Sequence, residues 1–140
     1  MNQWQTYALL AAFFGGLTAI LAKMGVAKVP SNVATLIRTL VICLFLSVLV
    51  LVRSEWTNPF SLSKKSLIFL TLSGIATGLS WLCYFKALQI GQASLVSSID
   101  KLSLVFAVVL AVLVLGEHLA LKQWLGVALM AVGSLLIAVK

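Results

Sequence analysis

The 140-residue chain has little charge: Asp, Glu, Lys and Arg together make up 9% of it, and only three residues are acidic. An average soluble domain has about 25% charged residues. So few charges cannot cover a surface that faces water, which excludes a soluble enzyme, a nucleic-acid-binding protein and a disordered tail. The composition therefore predicts an integral membrane protein whose surroundings are the lipid bilayer.

The chain also lacks the residue sets that carry catalysis. Cys43 and Cys83 lie within apolar runs and have no metal-ligand spacing, which is typical of small core residues. We find no nucleotide-binding loop, no paired carboxylates and no Ser/His/Asp set, so we expect no enzyme, no cofactor and no metal. No basic segment precedes the first apolar run, so we expect that run to stay in the mature protein.

Long apolar runs fill the chain instead. Hydrophobic residues make up 62% of it and the mean hydropathy is +1.16. A spanning helix needs about 20 apolar residues, and barrel strands of about 10 residues are too short to explain these runs. The sequence predicts an all-α integral membrane protein, a single domain over residues 1–140 that forms a five-transmembrane-helix bundle. The predicted spans are residues 4–24, 33–52, 67–88, 93–115 and 124–139.

The basic residues outside the spans divide evenly between the two membrane faces. Five spans put the termini on opposite sides. The N-terminal side carries Arg53, Lys64, Lys65 and Lys122, and the other side carries Lys23, Lys28, Lys86 and Lys140. Because orientation follows an excess of Lys and Arg in short loops, this balance predicts dual topology. The alternative is one orientation fixed by weaker features such as the Lys64–Lys65 pair.

Three ionisable residues fall inside spans: Arg38 in the second, and Asp100 and Lys101 in the fourth. A charge there costs about 2.5–3.5 kcal/mol on insertion scales and marks a functional candidate. Both spans begin on the same side, so we expect the three residues to lie at a similar depth. Two interpretations stay open. Asp100 pairs with Arg38 or Lys101 to fix helix packing, or one cation receives an anionic or zwitterionic substrate.

Helical spacing adds polar faces to this candidate site. Ser80, Trp81 and Tyr84 share one face of the third span, and Ser97 and Ser98 share a face with Lys101 on the fourth. These faces predict a substrate cavity, and ordinary hydrogen bonding between helices is the alternative. Gly126 and Gly133 lie seven residues apart on one face of the last span, which favours a dimer interface.

Several short stretches together resemble the second half of an EamA domain, the repeat of the drug/metabolite transporter superfamily. They are 80–89 (SWLCYFKALQ), 91–96 (GQASLV), 115–117 (LGE) and 124–126 (WLG), and 23–25 (KMG) and 34–38 (ATLIR) also fit. The resemblance implies half of an inverted-repeat transporter, completed by an antiparallel homodimer in an inner (plasma) membrane. Gly126 and Gly133 are similar to the dimerising glycine heptad of small multidrug resistance transporters.

Two departures from these families bear on the substrate. The first span has no acidic residue, whereas the small multidrug exporters use a glutamate there, and residues 99–103 (IDKLS) stand where many EamA domains carry a proline. Both favour a secondary transporter of a small anionic or zwitterionic metabolite that works by alternating access. The alternatives are a multidrug exporter with Asp100 replacing the glutamate, and a non-transporting scaffold or accessory subunit.

Overall fold

The computed structural model describes residues 3–58 and 61–139, so Lys140, counted above among the loop cations, lies outside the described residues. Helices account for most of these residues, and no strand occurs among them. The helices are α1 (Gln3–Val26), α2 (Ser31–Val52), α3 (Lys64–Ile90), α4 (Ala93–Asp100), α5 (Leu102–Leu115) and α6 (Leu121–Ala138).

Five helical segments are long and apolar enough to cross a membrane, with α4 and α5 together forming one of them. This finding confirms the predicted all-α membrane fold with five spans. Most large apolar side chains are exposed, such as Phe45 at 65% and Leu113 at 75%. Because a bilayer solvates such surfaces, this exposure is typical of a chain whose helices face lipid or another protein in the membrane.

The fourth span is interrupted at Lys101, which the sequence did not predict. The Lys101 amide donates to the Ser98 carbonyl at 3.2 Å, and the Leu104 amide donates to the Lys101 carbonyl at 3.1 Å. These are bonds to the third residue back, so one tighter turn separates α4 from α5. The Ser98 hydroxyl donates to the Ser94 carbonyl at 2.8 Å, a contact that often bends helices. Polar residues at the interruption thus coincide with a change in backbone hydrogen bonding.

Gly116 ends α5 in a left-handed conformation, with φ 69°. The next amide, that of Glu117, reaches back to the Ala111 carbonyl at 3.3 Å. This pattern satisfies a carbonyl at the helix end and needs a residue that tolerates positive φ. The turn that follows α5 therefore has a backbone reason for its glycine.

The chain divides into two compact units, and the first of them is Leu21–Gln89. Here the end of α1 meets the end of α3. Val26 and Leu88 are fully buried, and the Lys23 ammonium donates to the Leu88 carbonyl at 2.6 Å. A cation at a helix C-terminus satisfies an unpaired carbonyl and complements the helix dipole. Lys23 therefore holds these two helix ends together.

The second unit comprises the described residues 3–20 and 90–139. In it α6 packs against both α4 and α5. Ser134 on α6 is buried, and a small residue at this position lets helices approach closely. The prediction of one domain over residues 1–140 stays a prediction.

Candidate substrate site

Arg38 lies on α2, seven residues after its start at Ser31. At 1.5 Å per residue this is roughly 10 Å along the helix axis. The threonine hydroxyls near Arg38 donate to backbone carbonyls one turn earlier on the same helix. Thr35 donates to the Ser31 carbonyl at 2.9 Å, and Thr39 donates to the Thr35 carbonyl at 2.8 Å. These bonds leave the half-buried Arg38 guanidinium as the strongest donor group along this part of α2.

The Arg38 guanidinium lies over two aromatic rings of α3. Its central carbon is 4.2 Å from the centroid of the Trp81 ring and 5.4 Å from that of Phe85. Trp81 and Phe85 are four residues apart, so they share one face of α3. Both distances lie within the range of cation–π attraction, which contributes about 0.5–2 kcal/mol. The structure thus brings together two predicted site residues, Arg38 and Trp81.

Phe85 is a member of this cluster that the sequence interpretation missed. Its side chain is 3% exposed, and its ring meets Tyr84 edge to face with centroids 6.4 Å apart. The signal was present in the sequence, because Phe85 follows Trp81 by one helical turn. Of the other predicted residues on α3, Tyr84 is half-buried and Ser80 is exposed.

The predicted residues of the fourth span lie around its interruption. The Lys101 ammonium and an Asp100 carboxylate oxygen are 3.8 Å apart, with side chains 59% and 38% exposed. Ser97 and Ser98 are half-buried on α4. Asp100 therefore pairs with its chain neighbour Lys101, one of the two partners that the sequence offered. The predicted substrate role of these four residues stays a prediction.

The electrostatic balance around Arg38 is positive. Glu55 is the only acidic residue in the sequence between Leu21 and Gln89. Its carboxylate lies 4.0 Å from the guanidinium of Arg53, and both side chains are more than half exposed. No carboxylate of this unit therefore remains to neutralise Arg38, which leaves the cationic–aromatic cluster suited to an anionic group.

The predicted dimer glycines lie on α6. A Cβ atom added at Gly126 or Gly133 meets no atom within 4 Å in the described chain. Neither glycine is therefore required by a close approach within one copy of the protein.

Five segments long and apolar enough to cross a membrane, with the Arg38 guanidinium of one lying over aromatic rings of another, define an integral membrane protein with a cation inside a span. The chain belongs to the EamA-like transporter family, which it matches over residues 2–139. The protein is a membrane transporter by this relationship, and its relatives point away from an enzyme.

Two relatives illustrate the relationship. The chain is 50% identical over 138 residues to a protein of Sinorhizobium sp. named "Uncharacterized transporter in cobO 3'region", covering 99% of this chain and 98% of that protein. It is 28% identical over 131 residues to "Uncharacterized protein MJ1333.1" of Methanocaldococcus jannaschii, covering 94% and 93%. No solved structure matches the chain significantly.

Proposed function

We propose that the protein is a secondary transporter of a small organic metabolite bearing a carboxylate or a similar anionic group, and that Arg38 receives this group. The observation that carries the proposal is the guanidinium 4.2 Å above the Trp81 ring, inside a membrane span. The transported molecule crosses an inner (plasma) membrane by alternating access between the two sides.

The energies favour a functional role for this arginine. A cation within a span costs about 2.5–3.5 kcal/mol, and contact with aromatic rings offsets about 0.5–2 kcal/mol of it. Stacking also leaves the edge of the guanidinium open, where its N–H groups match the two oxygens of a carboxylate. An acidic substrate would supply the missing countercharge while it is bound.

The Asp100–Lys101 pair is the second element of the proposal. The two residues lie at the interruption of a membrane-crossing segment, and such interruptions hold substrate and coupling-ion sites in many transporters. A carboxylate 3.8 Å from an ammonium can exchange its partner for a proton or for a charged substrate. We assign to Asp100 the role of charge or proton partner and to Lys101 that of its counterion.

Ligand-dependent stabilisation of the purified protein tests the substrate class. The panel pairs each small organic acid with its neutral amide or ester and includes cationic drugs. At 100 times its Kd a ligand stabilises the folded state by about 2.7 kcal/mol, so we expect some acids to raise the melting temperature while their neutral partners do not. A response to cations alone would favour a multidrug exporter, and no response at all would favour a scaffold.

We also propose an antiparallel homodimer with its contact at Gly126 and Gly133. The even division of loop cations between the membrane faces supports both orientations. The space around both glycines supports a contact that a second copy completes.

A Gly133→Leu variant is expected to lose the dimer and keep its helices. The protomer has room for a side chain at this position, whereas a close helix contact with a partner does not. Crosslinking in membranes measures the dimer fraction, and circular dichroism measures helix content. Gly15→Leu is the matched control, because Gly15 also has open space around it. Equal dimer fractions in both variants would refute this interface.

A further inference from the structure

A second cationic feature lies apart from Arg38, where the α1–α2 loop meets the end of α3. Here an open cavity of about 530 Å³ is lined by Lys28, Ser31, Lys86 and Gln89, among others. Ser31 precedes Arg38 by seven residues on α2, or roughly 10 Å along the axis. The cavity therefore belongs to the helix ends, where a spanning segment meets the headgroup region.

Specific contacts hold this cavity in shape. The Gln89 side-chain amide donates to the Val29 carbonyl at 3.2 Å, which fixes the loop against α3. The Lys86 ammonium donates to the Gln89 side-chain oxygen Oε1 at 3.4 Å. Val26 and Leu88, the chain neighbours of the lining residues Ala27 and Gln89, are fully buried. The wall of the cavity is therefore a built part of the fold, and Lys86 is held at its edge.

The described side chains that line the cavity carry positive charge and no carboxylate. Lys28 and Lys86 bring two positive charges, and the only carboxylate of this unit, Glu55, pairs with Arg53 instead. Ser31 is 8% exposed and lines the cavity, and its hydroxyl is a further group able to donate. The first-turn amides of α2 add further donors at the same place. A group that accepts several hydrogen bonds and carries negative charge complements this set.

We propose that this cavity binds an oxyanion of the phosphate type between Lys28 and Lys86. Phosphate chemistry reaches it from two sources, the headgroup of an anionic lipid or a free phosphate in solution. Its place at the helix ends suits a headgroup, since basic pockets there bind anionic lipids. The site shares no residue with the Arg38 cluster, so the two proposals are independent and can be tested separately.

The lipid arm of the test measures retention of phosphatidylglycerol and of phosphatidylcholine with identical acyl chains, by native mass spectrometry in neutral detergent. We expect the unmodified protein to prefer phosphatidylglycerol. Each lysine raises the affinity for phosphatidylglycerol about fivefold, equivalent to about 1 kcal/mol. The double variant Lys28→Gln/Lys86→Gln should therefore bind this lipid about 25-fold more weakly. Lys64→Gln/Lys65→Gln removes two lysines from the other end of α3 and should keep it. Lys28→Arg/Lys86→Arg should restore it.

The soluble arm titrates inorganic phosphate against the same proteins and follows the melting temperature, with chloride at equal ionic strength as the reference. If the unmodified protein binds in one arm and the Lys28→Gln/Lys86→Gln variant does not, the site is supported. The arm that responds shows whether the bound oxyanion is a lipid headgroup or free phosphate. The proposal is overturned if the two double variants lose binding equally, or if neither arm responds. Should the double variant unfold, Lys28→Gln alone carries the test, because this side chain is exposed, and a loss of about fivefold is expected.

Discussion

An Arg38→Gln variant is expected to bind the acidic substrate about 10- to 100-fold more weakly than the unmodified protein. The change removes hydrogen bonds from a charged donor, which contribute about 1.5–3 kcal/mol in total. Glutamine keeps the Cβ–Cγ stem and an uncharged polar end, so the effect reports the loss of the guanidinium. Arg38→Lys keeps the charge and loses the planar face on Trp81 and the paired donors, so we expect an intermediate loss. Isothermal titration with the acid selected by the stabilisation panel measures both Kd values.

Arg53→Gln provides the matched control for this result. Arg53 follows α2 directly, and its side chain is 63% exposed in an ion pair with Glu55. Exposed pairs contribute about 0–1 kcal/mol, and Arg53 lies about four helical turns beyond Arg38 along the sequence. The Kd of Arg53→Gln should match that of the unmodified protein. Equal affinity in the Arg38→Gln variant, with normal membrane insertion, would show that Arg38 does not receive the substrate.

A Phe85→Ala variant is expected to lower the free energy of unfolding by about 3–5 kcal/mol. The Phe85 ring is almost fully buried, contacts Tyr84 edge to face and lies 5.4 Å from the Arg38 guanidinium carbon. Its removal leaves a void between helices, where packing is the main source of association in a bilayer. It also takes one aromatic ring away from Arg38. Reversible unfolding in mixed micelles measures the free energy.

Phe106→Ala is the comparison for this stability effect. Phe106 lies on α5 and is 69% exposed, so its truncation opens no internal void and should change the free energy by about 0.5 kcal/mol. Phe85→Leu fills part of the space and should fall between the two. If Phe85→Ala and Phe106→Ala behave alike, Phe85 is not a packing centre of this unit.

The spans were predictable from the sequence because each is a long apolar run. The residues at which the helices begin and end were harder to predict. The third span was predicted as residues 67–88, whereas α3 covers Lys64–Ile90. The added residues at both ends are mostly polar, and a helix can continue through such residues into the headgroup region. Hydropathy marks where the apolar run stops, and backbone hydrogen bonding decides where the helix stops.

The interruption at Lys101 lay outside what periodicity can detect. Residues 93–115 form one apolar segment by composition, yet two bonds to the third residue back separate α4 from α5. Asp100 and Lys101 marked the place as polar. A pattern of residue types does not report a single tightened turn, because its cause lies in the backbone and in local side-chain bonds.

The contents of the candidate site were predictable, and its contacts were not. Arg38 and Trp81 each qualified alone, one as a charge in a span and the other as part of a polar–aromatic face. Spacing on one helix tells which residues share a face, but it does not tell which face of another helix they meet. The 4.2 Å contact between them therefore needed the structure. The same holds for the Lys23 bond to the Leu88 carbonyl, which joins residues 65 apart in the chain.

Uptake into proteoliposomes tests the central claim most directly, namely that the protein moves a small organic acid through a path that includes Arg38. The experiment measures uptake of the radiolabelled acid identified by the stabilisation panel. It compares vesicles that contain the unmodified protein, the Arg53→Gln variant, the Arg38→Gln variant or no protein. The account predicts saturable uptake with the unmodified protein and with Arg53→Gln, and uptake near that of empty vesicles with Arg38→Gln. Equal uptake by empty vesicles, or undiminished uptake by Arg38→Gln, would contradict it.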